Sequence, residues 1–287
     1  MPKIGNVGFV NKTLKENNLQ AKKKFGQNFL TDQNILSGIV NAGEITKKDA
    51  VIEIGPGLGA LTEHLCEAAG FVLAYEIDTD LLDLLSENLK QYNNYKVINE
   101  DILKVDIKQD IETYLSEYEN VYVVANLPYY ITTPIILGLL SKETRISRYV
   151  MMMQLEMADR ICGKPKTKDY NALSVVIAYK AIAKKVLNVP RTVFIPAPNV
   201  DSAVVRLDIH ETKPYQALDE EVFNKVIRLC FTQRRKTLYN NLSMEYPKDF
   251  INKLLENLNI NPSIRAEALD IKDFILISDY ITQNYNK

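Results

Sequence analysis

The chain has 287 residues, 46% hydrophobic and 25% charged, and a formal net charge of −1, an ordinary globular composition with no global field for nucleic acid. No apolar run approaches the roughly 20 residues of a membrane helix, and MPKIGNVGFVNKTLKENN lacks the apolar stretch of a signal peptide. Three widely spaced cysteines (Cys66, Cys162, Cys230) and two histidines argue against a disulfide framework, a zinc cluster or a His-rich metal site, and point to a reducing cytoplasm.

Residues 1–31 form a polar arm rich in Lys and Asn that ends in FGQNFL; its first 20 residues are weakly periodic and expected to be partly disordered. DQNILSGIVNAG then predicts a helix with Asp32 as N-cap. AVIEIG (50–55) is a short apolar strand, GALTEHLCEAAG (59–70) a helix, FVLAYEID (71–78) a second strand and TDLLDLLSENLK (79–90) another helix. YKVINED (95–101), NVYVVANLP (120–128) and SRYVMMMQ (147–154) are further strands, the last running into the helix LEMADRI. Apolar strands alternating with helices indicate a parallel sheet covered on both faces, wound in both directions by right-handed crossovers. KKVLNVP and SAVVRLDI are strand-like and add an antiparallel pair at the sheet edge. From about 213 the pattern is helical, clearest in EEVFNKVIRLCFTQRRKTLYNNL and DFINKLLENLNI. The expected division is an arm (1–31), a sheet domain (32–212) and a small helical domain (213–287).

EIGPGLGALTEHL follows a strand and opens a helix. Glycines at 55, 57 and 59 permit a tight turn and close approach of a ligand. Gly55, Gly57 and Ala60 satisfy the dinucleotide pattern, and Glu76 ends the next strand, placed to accept both hydroxyls of a ribose. NAD and S-adenosylmethionine both fit; a tight turn without a ligand is the plain alternative. Asp101, after Glu100 at the tip of the third strand, is placed to accept an adenine amino hydrogen and tilts the choice to S-adenosylmethionine, although adjacent acids at a strand end are often merely solvated. These tips share the carboxyl edge of the sheet, where open α/β folds bind ligands.

The fourth strand ends there too, in Asn126-Leu127-Pro128-Tyr129. An adenine amine is a poor nucleophile because its lone pair is delocalised. The Asn126 side-chain oxygen and the carbonyl of Leu127 or Pro128 can accept its two hydrogens, favour a pyramidal nitrogen and aim its lone pair. Tyr129 offers a flat face to an extruded base. No strong general base is required, since the proton becomes acidic once the nitrogen is alkylated. A tight turn with core tyrosines is the competing reading.

KKFGQNFL, VIEIGPGLGALT, YEID, NEDIL, NLPYYITTPI, FIPAPNVDSAVV and QRRKTL together resemble the bacterial 16S rRNA adenine dimethyltransferases, the family responsible for kasugamycin sensitivity, over nearly the whole chain. The resemblance implies a doubly wound, Rossmann-like class I methyltransferase sheet with a small all-α C-terminal domain. It implies S-adenosylmethionine held by Gln27, Asn28, Leu30, Gly55, Gly57, Glu76, Ile77, Asp101, Ile102 and Asn126. It implies a target adenine held by Asn126, Leu127, Pro128 and Tyr129, with Phe194 stacked on the other face. The implied substrate is a pair of adjacent adenosines in a hairpin loop near the 3′ end of small-subunit (16S) rRNA, each dimethylated at N6, with a role in small-subunit biogenesis.

Three basic clusters, each read alone as a solvated face, then become candidate phosphate contacts: Lys22, Lys23 and Lys24; Lys164, Lys166 and Lys168; and Arg234, Arg235 and Lys236. The protein is expected to act as a cytoplasmic monomer with no metal and no membrane partner. The chain departs from the family pattern at Arg191, Asn199 and Tyr130, where a proline, a lysine and an asparagine are usual. The alternatives are the related class that dimethylates large-subunit rRNA, an NAD-dependent dehydrogenase, and a non-catalytic RNA-binding assembly factor.

Overall fold

Every predicted strand forms in the computed structural model, which describes residues 3–17, 19–22 and 25–285. In chain order the elements are α1 (Val7–Glu16), β1 (Phe29–Leu30), α2 (Gln33–Gly43), β2 (Asp49–Ile54), α3 (Ala60–Ala68), β3 (Phe71–Tyr75), α4 (Leu82–Asn88), β4 (Tyr95–Ile98), α5 (Ile107–Tyr114), β5 (Asn120–Asn126), α6 (Thr132–Ser141), β6 (Ile146–Gln154), α7 (Leu155–Ile161), α8 (Ala172–Lys180), β7 (Ala181–Val189), β8 (Phe194–Ile195), β9 (Ser202–Ile209), α9 (Glu220–Cys230), α10 (Leu238–Leu242), α11 (Lys248–Asn257) and α12 (Ile271–Asn284). The main sheet has the order β4-β3-β2-β5-β6-β9-β7. β4, β3, β2, β5 and β6 are parallel, and β9 runs antiparallel to β6. All six residues of β2 are buried, as a central strand covered on both faces requires.

By contacts the chain divides into two units, one of residues 1–158 and 184–209 and the other of 159–183 and 210–287. In the first, α2 and α3 pack Leu36, Ile39, Leu61 and Leu65 against Val51, Val72, Val124 and Val150 of the sheet. Asp32 caps α2 by accepting from the amides of Asn34 and Ile35, a contribution of about 1 kcal/mol. In the second unit Tyr170, Val175 and Tyr179 share one apolar core with Phe223, Ile227, Leu254 and Phe274. This corrects the expected boundary: residues 159–183 group with the C-terminal helices because their apolar side chains are buried among them.

The arm also differs from expectation. Val7–Glu16 is helical, capped by the Asn6 side chain on the Phe9 amide. Val10, with Ile4 before the helix, is buried in one cluster with Phe29, Leu58, Leu81, Leu85 and Leu89. Phe9 and Leu14 pack against the same cluster, most of which lies outside the arm, where a periodicity count along the arm does not register it. The arm ends as β1, paired antiparallel with β8 (Phe29 opposite Ile195, Leu30 opposite Phe194).

Candidate active site

The strand order reverses between β2 and β5, so the crevice beyond their carboxyl ends is the topological switch point. The register sets Ile54 opposite Ala125, which brings Gly55 and Asn126 side by side. Gly55 (φ +69°) and Gly57 (φ +60°) adopt the left-handed backbone that glycine alone enters freely. A Cβ at Gly55 would meet nothing within 4 Å, space that a ligand can take. The pocket there is lined by Gln27, Asn28 and Leu30 of the arm, Gly55 and Gly57, Glu76 and Ile77, Asp101 and Ile102, and Asn126 to Tyr129. Every predicted cofactor residue therefore converges on one cavity, drawn from five separate segments.

Its acids differ in environment. Glu76 is buried; Oε1 accepts from the Asp78 amide at 2.9 Å and Oε2 from the Gly57 amide at 3.0 Å. The carboxylate is thus locked to the glycine loop. Burial raises its pKa, against the pull of these backbone bonds. Asn99 donates to the Glu76 carbonyl at 2.7 Å and braces the same strand tip. Glu53, on β2, is 1% exposed, and its Oε2 has no hydrogen-bond partner. Burial pushes its pKa up to about 8, against the pull of the neighbouring Thr62 hydroxyl and with Glu76 adding to the rise. A buried, unpaired carboxyl oxygen lining the pocket suits a cationic group. Asp101 Oδ1 accepts from the Leu103 amide at 3.0 Å, which fixes the turn after β4.

The Asn126–Tyr129 segment leaves β5 and enters a short 3₁₀ turn, Tyr129–Ile131. Asn126 Nδ2 donates to the Asn28 carbonyl at 3.3 Å, so its amide nitrogen is spent on the arm. The Pro128 carbonyl accepts from the Ile131 amide at 3.2 Å and from Thr132 Oγ1 at 3.0 Å. Of the two predicted backbone acceptors, Pro128 is therefore already engaged, which favours Leu127. Tyr129 Oη lies 2.7 Å from Ser202 Oγ of the DSAVV segment. Burial raises the phenol's pKa, so it stays protonated at neutral pH. Tyr130 is 56% exposed, and its ring lies against Gly26.

Two predicted placements change. Phe194 is buried at 3% exposure, paired with Leu30 across β1 and β8 and packed with Leu36, Val40 and Val189; it does not line the pocket. Its aromatic surface is spent on anchoring the arm. Lys22 is not a free cation: Nζ lies 2.6 Å from Asp78 Oδ1 and 2.6 Å from Asp80 Oδ2. Lys23 and Lys24 lie outside the described residues. The remaining basic clusters meet within the second unit. Arg234 Nη2 donates to the Lys168 carbonyl at 2.7 Å, and the Lys166 amide donates to the Glu267 carbonyl at 2.8 Å. Lys164, Lys166, Lys168, Arg234, Arg235 and Lys236 are all exposed. At the departures, the Arg191 amide donates to Asp201 and its guanidinium to the Asn199 carbonyl, so the two residues brace one loop. Glu53, Asp78, Asn99 and Ser202 are the site residues that sequence reasoning missed. All four stand inside the quoted motifs, but nothing in their spacing names their partners.

The comparisons agree with this geometry. Residues 18–283 match the family model described as ribosomal RNA adenine dimethylase. A ribosomal RNA small subunit methyltransferase A of Streptococcus thermophilus is 47% identical, covering 98% of this chain and 99% of its own. One from Lactococcus lactis is 46% identical, covering 96% and 95%. Among solved structures, a dimethyladenosine transferase from Plasmodium falciparum superposes with a TM-score of 0.76 at 27% identity, covering 88% of this chain and 97% of its own. The 23S rRNA methyltransferase ErmE gives 0.69 at 27% identity, covering 89% and 100%. With a glycine loop, a ribose-type carboxylate and an Asn-Leu-Pro-Tyr turn in one crevice, and a family match from the arm to the last helix, this chain belongs to the ribosomal RNA adenine dimethylases.

Proposed function

We propose that this chain dimethylates N6 of two adjacent adenosines in a hairpin loop near the 3′ end of small-subunit rRNA, working as a monomer in the cytoplasm, with a part in small-subunit biogenesis. The observation that carries the reading is the adjacency of Gly55 and Asn126 at the switch point, which puts a methyl donor's site beside an amide suited to an adenine amine. Full-length likeness to small-subunit enzymes favours that subunit, while ErmE keeps the large subunit as the second reading.

The residues present fit S-adenosylmethionine. Glu76 takes the ribose hydroxyls, Asp101 the adenine amine, and the partnerless Glu53 oxygen faces the cationic methionine end. The cofactor supplies a methyl group from its sulfonium, the S–C bonding pair remaining on sulfur. The chain's own work is positioning. Asn126 Oδ1 and the Leu127 carbonyl accept the two N6 hydrogens and direct the nitrogen lone pair towards the methyl. Tyr129, anchored through Ser202, stacks on the base; such stacking contributes about 1–3 kcal/mol. The N6 proton leaves to solvent after the N–C bond forms, so no residue need act as a strong base. The exposed cluster of Lys164, Lys166, Lys168, Arg234, Arg235 and Lys236 contacts phosphates.

Labelled S-adenosylmethionine, incubated with each purified subunit from an unmodified strain, tests the assignment. Label in the small subunit is expected; label confined to the large subunit selects the second reading.

A further inference from the structure

We infer that Lys22 is a positioning residue of the cofactor site: with Asp78 it pins the arm segment bearing Gln27 and Asn28 as a wall common to the cofactor pocket and to Asn126. This rests on the reading above that the pocket takes S-adenosylmethionine and that Asn126 takes the target amine.

The pin is a closed hydrogen-bond circuit. Lys22 Nζ donates to Asp78 Oδ1 and Asp80 Oδ2, each at 2.6 Å. Gln27 Nε2 donates to Asp78 Oδ2 at 2.7 Å, and Gln27 Oε1 accepts from the Lys22 amide at 2.8 Å. Both Asp78 oxygens are therefore bonded to the arm. Asp78 is 2% exposed and its amide donates to Glu76 Oε1. Two buried carboxylates two residues apart repel each other, and a buried charge needs a partner. Lys22 supplies a positive charge at the buried Asp78, so the ribose-type carboxylate keeps an ionised neighbour whose charge is paired.

The other end of the segment meets the target site. Asn126 Nδ2 donates to the Asn28 carbonyl, and the Tyr130 ring closes on Gly26, whose added Cβ would stand 3.3 Å from Cδ1. One short stretch of arm thus touches the carboxylate that grips the cofactor and the amide that orients the amine. Releasing it at Lys22 loosens both. This also accounts for Lys22, the first of the three consecutive lysines that the phosphate reading assigned to RNA.

The test separates the two roles without turnover. Calorimetry with S-adenosylhomocysteine is expected to give Lys22→Ala a weaker Kd by on the order of tenfold, as for loss of a charged hydrogen bond, and Lys22→Arg most of the wild-type value. Affinity for unmodified small subunits, and its salt slope, should stay at wild type. Gln27→Ala, which cuts the circuit without removing a charge, should weaken the same Kd by less, with thermal melts confirming that each variant folds. Unchanged S-adenosylhomocysteine affinity in a folded Lys22→Ala, with weaker subunit binding and a shallower salt slope, would overturn the inference and return Lys22 to the RNA. A wild-type protein that binds no S-adenosylhomocysteine would instead overturn the reading of the pocket.

Discussion

At the carboxyl edge of the sheet, Glu53, Glu76 and Asp78 carry their carboxyls at 1–4% exposure, each fixed or frustrated by named neighbours. On the second unit, Lys164, Lys166, Lys168, Arg234, Arg235 and Lys236 stand in solvent, tied mostly through backbone carbonyls. The first region orients atoms to within a hydrogen bond, so single substitutions there should act on rate or cofactor. On the proposed reading the second offers charge to the RNA backbone, so its substitutions should act in proportion to number and be erased by salt.

The sharpest way to break this contrast is Asn126→Ala. Loss of one preorganised acceptor predicts a fall in turnover of about 10²–10³-fold, with subunit affinity near wild type; unchanged turnover would remove Asn126 from the chemistry. Tyr129 gives a graded version. Tyr129→Ala removes the stacking face and should reduce kcat/KM by about 10–100-fold, in line with roughly 1–3 kcal/mol of stacking. Tyr129→Phe loses only the Ser202 bond, about 1 kcal/mol, so a Phe variant as damaged as the Ala variant contradicts a stacking role. On the second unit, the combined Lys164→Ala, Lys168→Ala and Arg235→Ala variant should weaken subunit binding and flatten the plot of log affinity against log salt by about one per lost phosphate contact. A large kcat loss at saturating substrate would erase the distinction between the regions.

The smallest effect concerns Glu53. Its pKa lies near 8 in the fold against an ordinary value near 4.5, so the neutral acid is stabilised by folding. That contribution is complete below the ordinary value and is lost as pH rises through about 8. Glu53→Gln cannot ionise, so its Tm relative to wild type should rise by a few degrees between pH 6 and 9. A constant difference would show that Glu53 is already ionised at neutral pH.

The readable parts of the chain were those whose physics is local. AVIEIG and VYVVAN announce buried parallel strands by unbroken apolar runs, and Gly55 marks a turn by its own backbone requirement. Doubly wound connectivity then makes β2 and β5 neighbours, and the Gly55–Asn126 adjacency follows. The misread parts depend on partners far along the chain. Lys22 meets Asp78 across 56 residues, and only that meeting turns a phosphate candidate into part of the cofactor wall. Phe194 reads from sequence as available for stacking, but its pairing with Leu30 buries it. Residues 159–183 carry apolar side chains that fit either unit by composition, and the helical core takes them. The α1 helix draws its stability from a cluster built by Leu58, Leu81, Leu85 and Leu89.

The central claim is that one crevice methylates an rRNA adenine amine twice. Mass spectrometry of rRNA, after reaction with both subunits of an unmodified strain, tests it most directly. Two adjacent N6,N6-dimethyladenosines in a hairpin loop near the 3′ end of the small-subunit rRNA is the predicted result. Methyl groups on large-subunit rRNA alone, or on any atom other than an adenine N6, would contradict it.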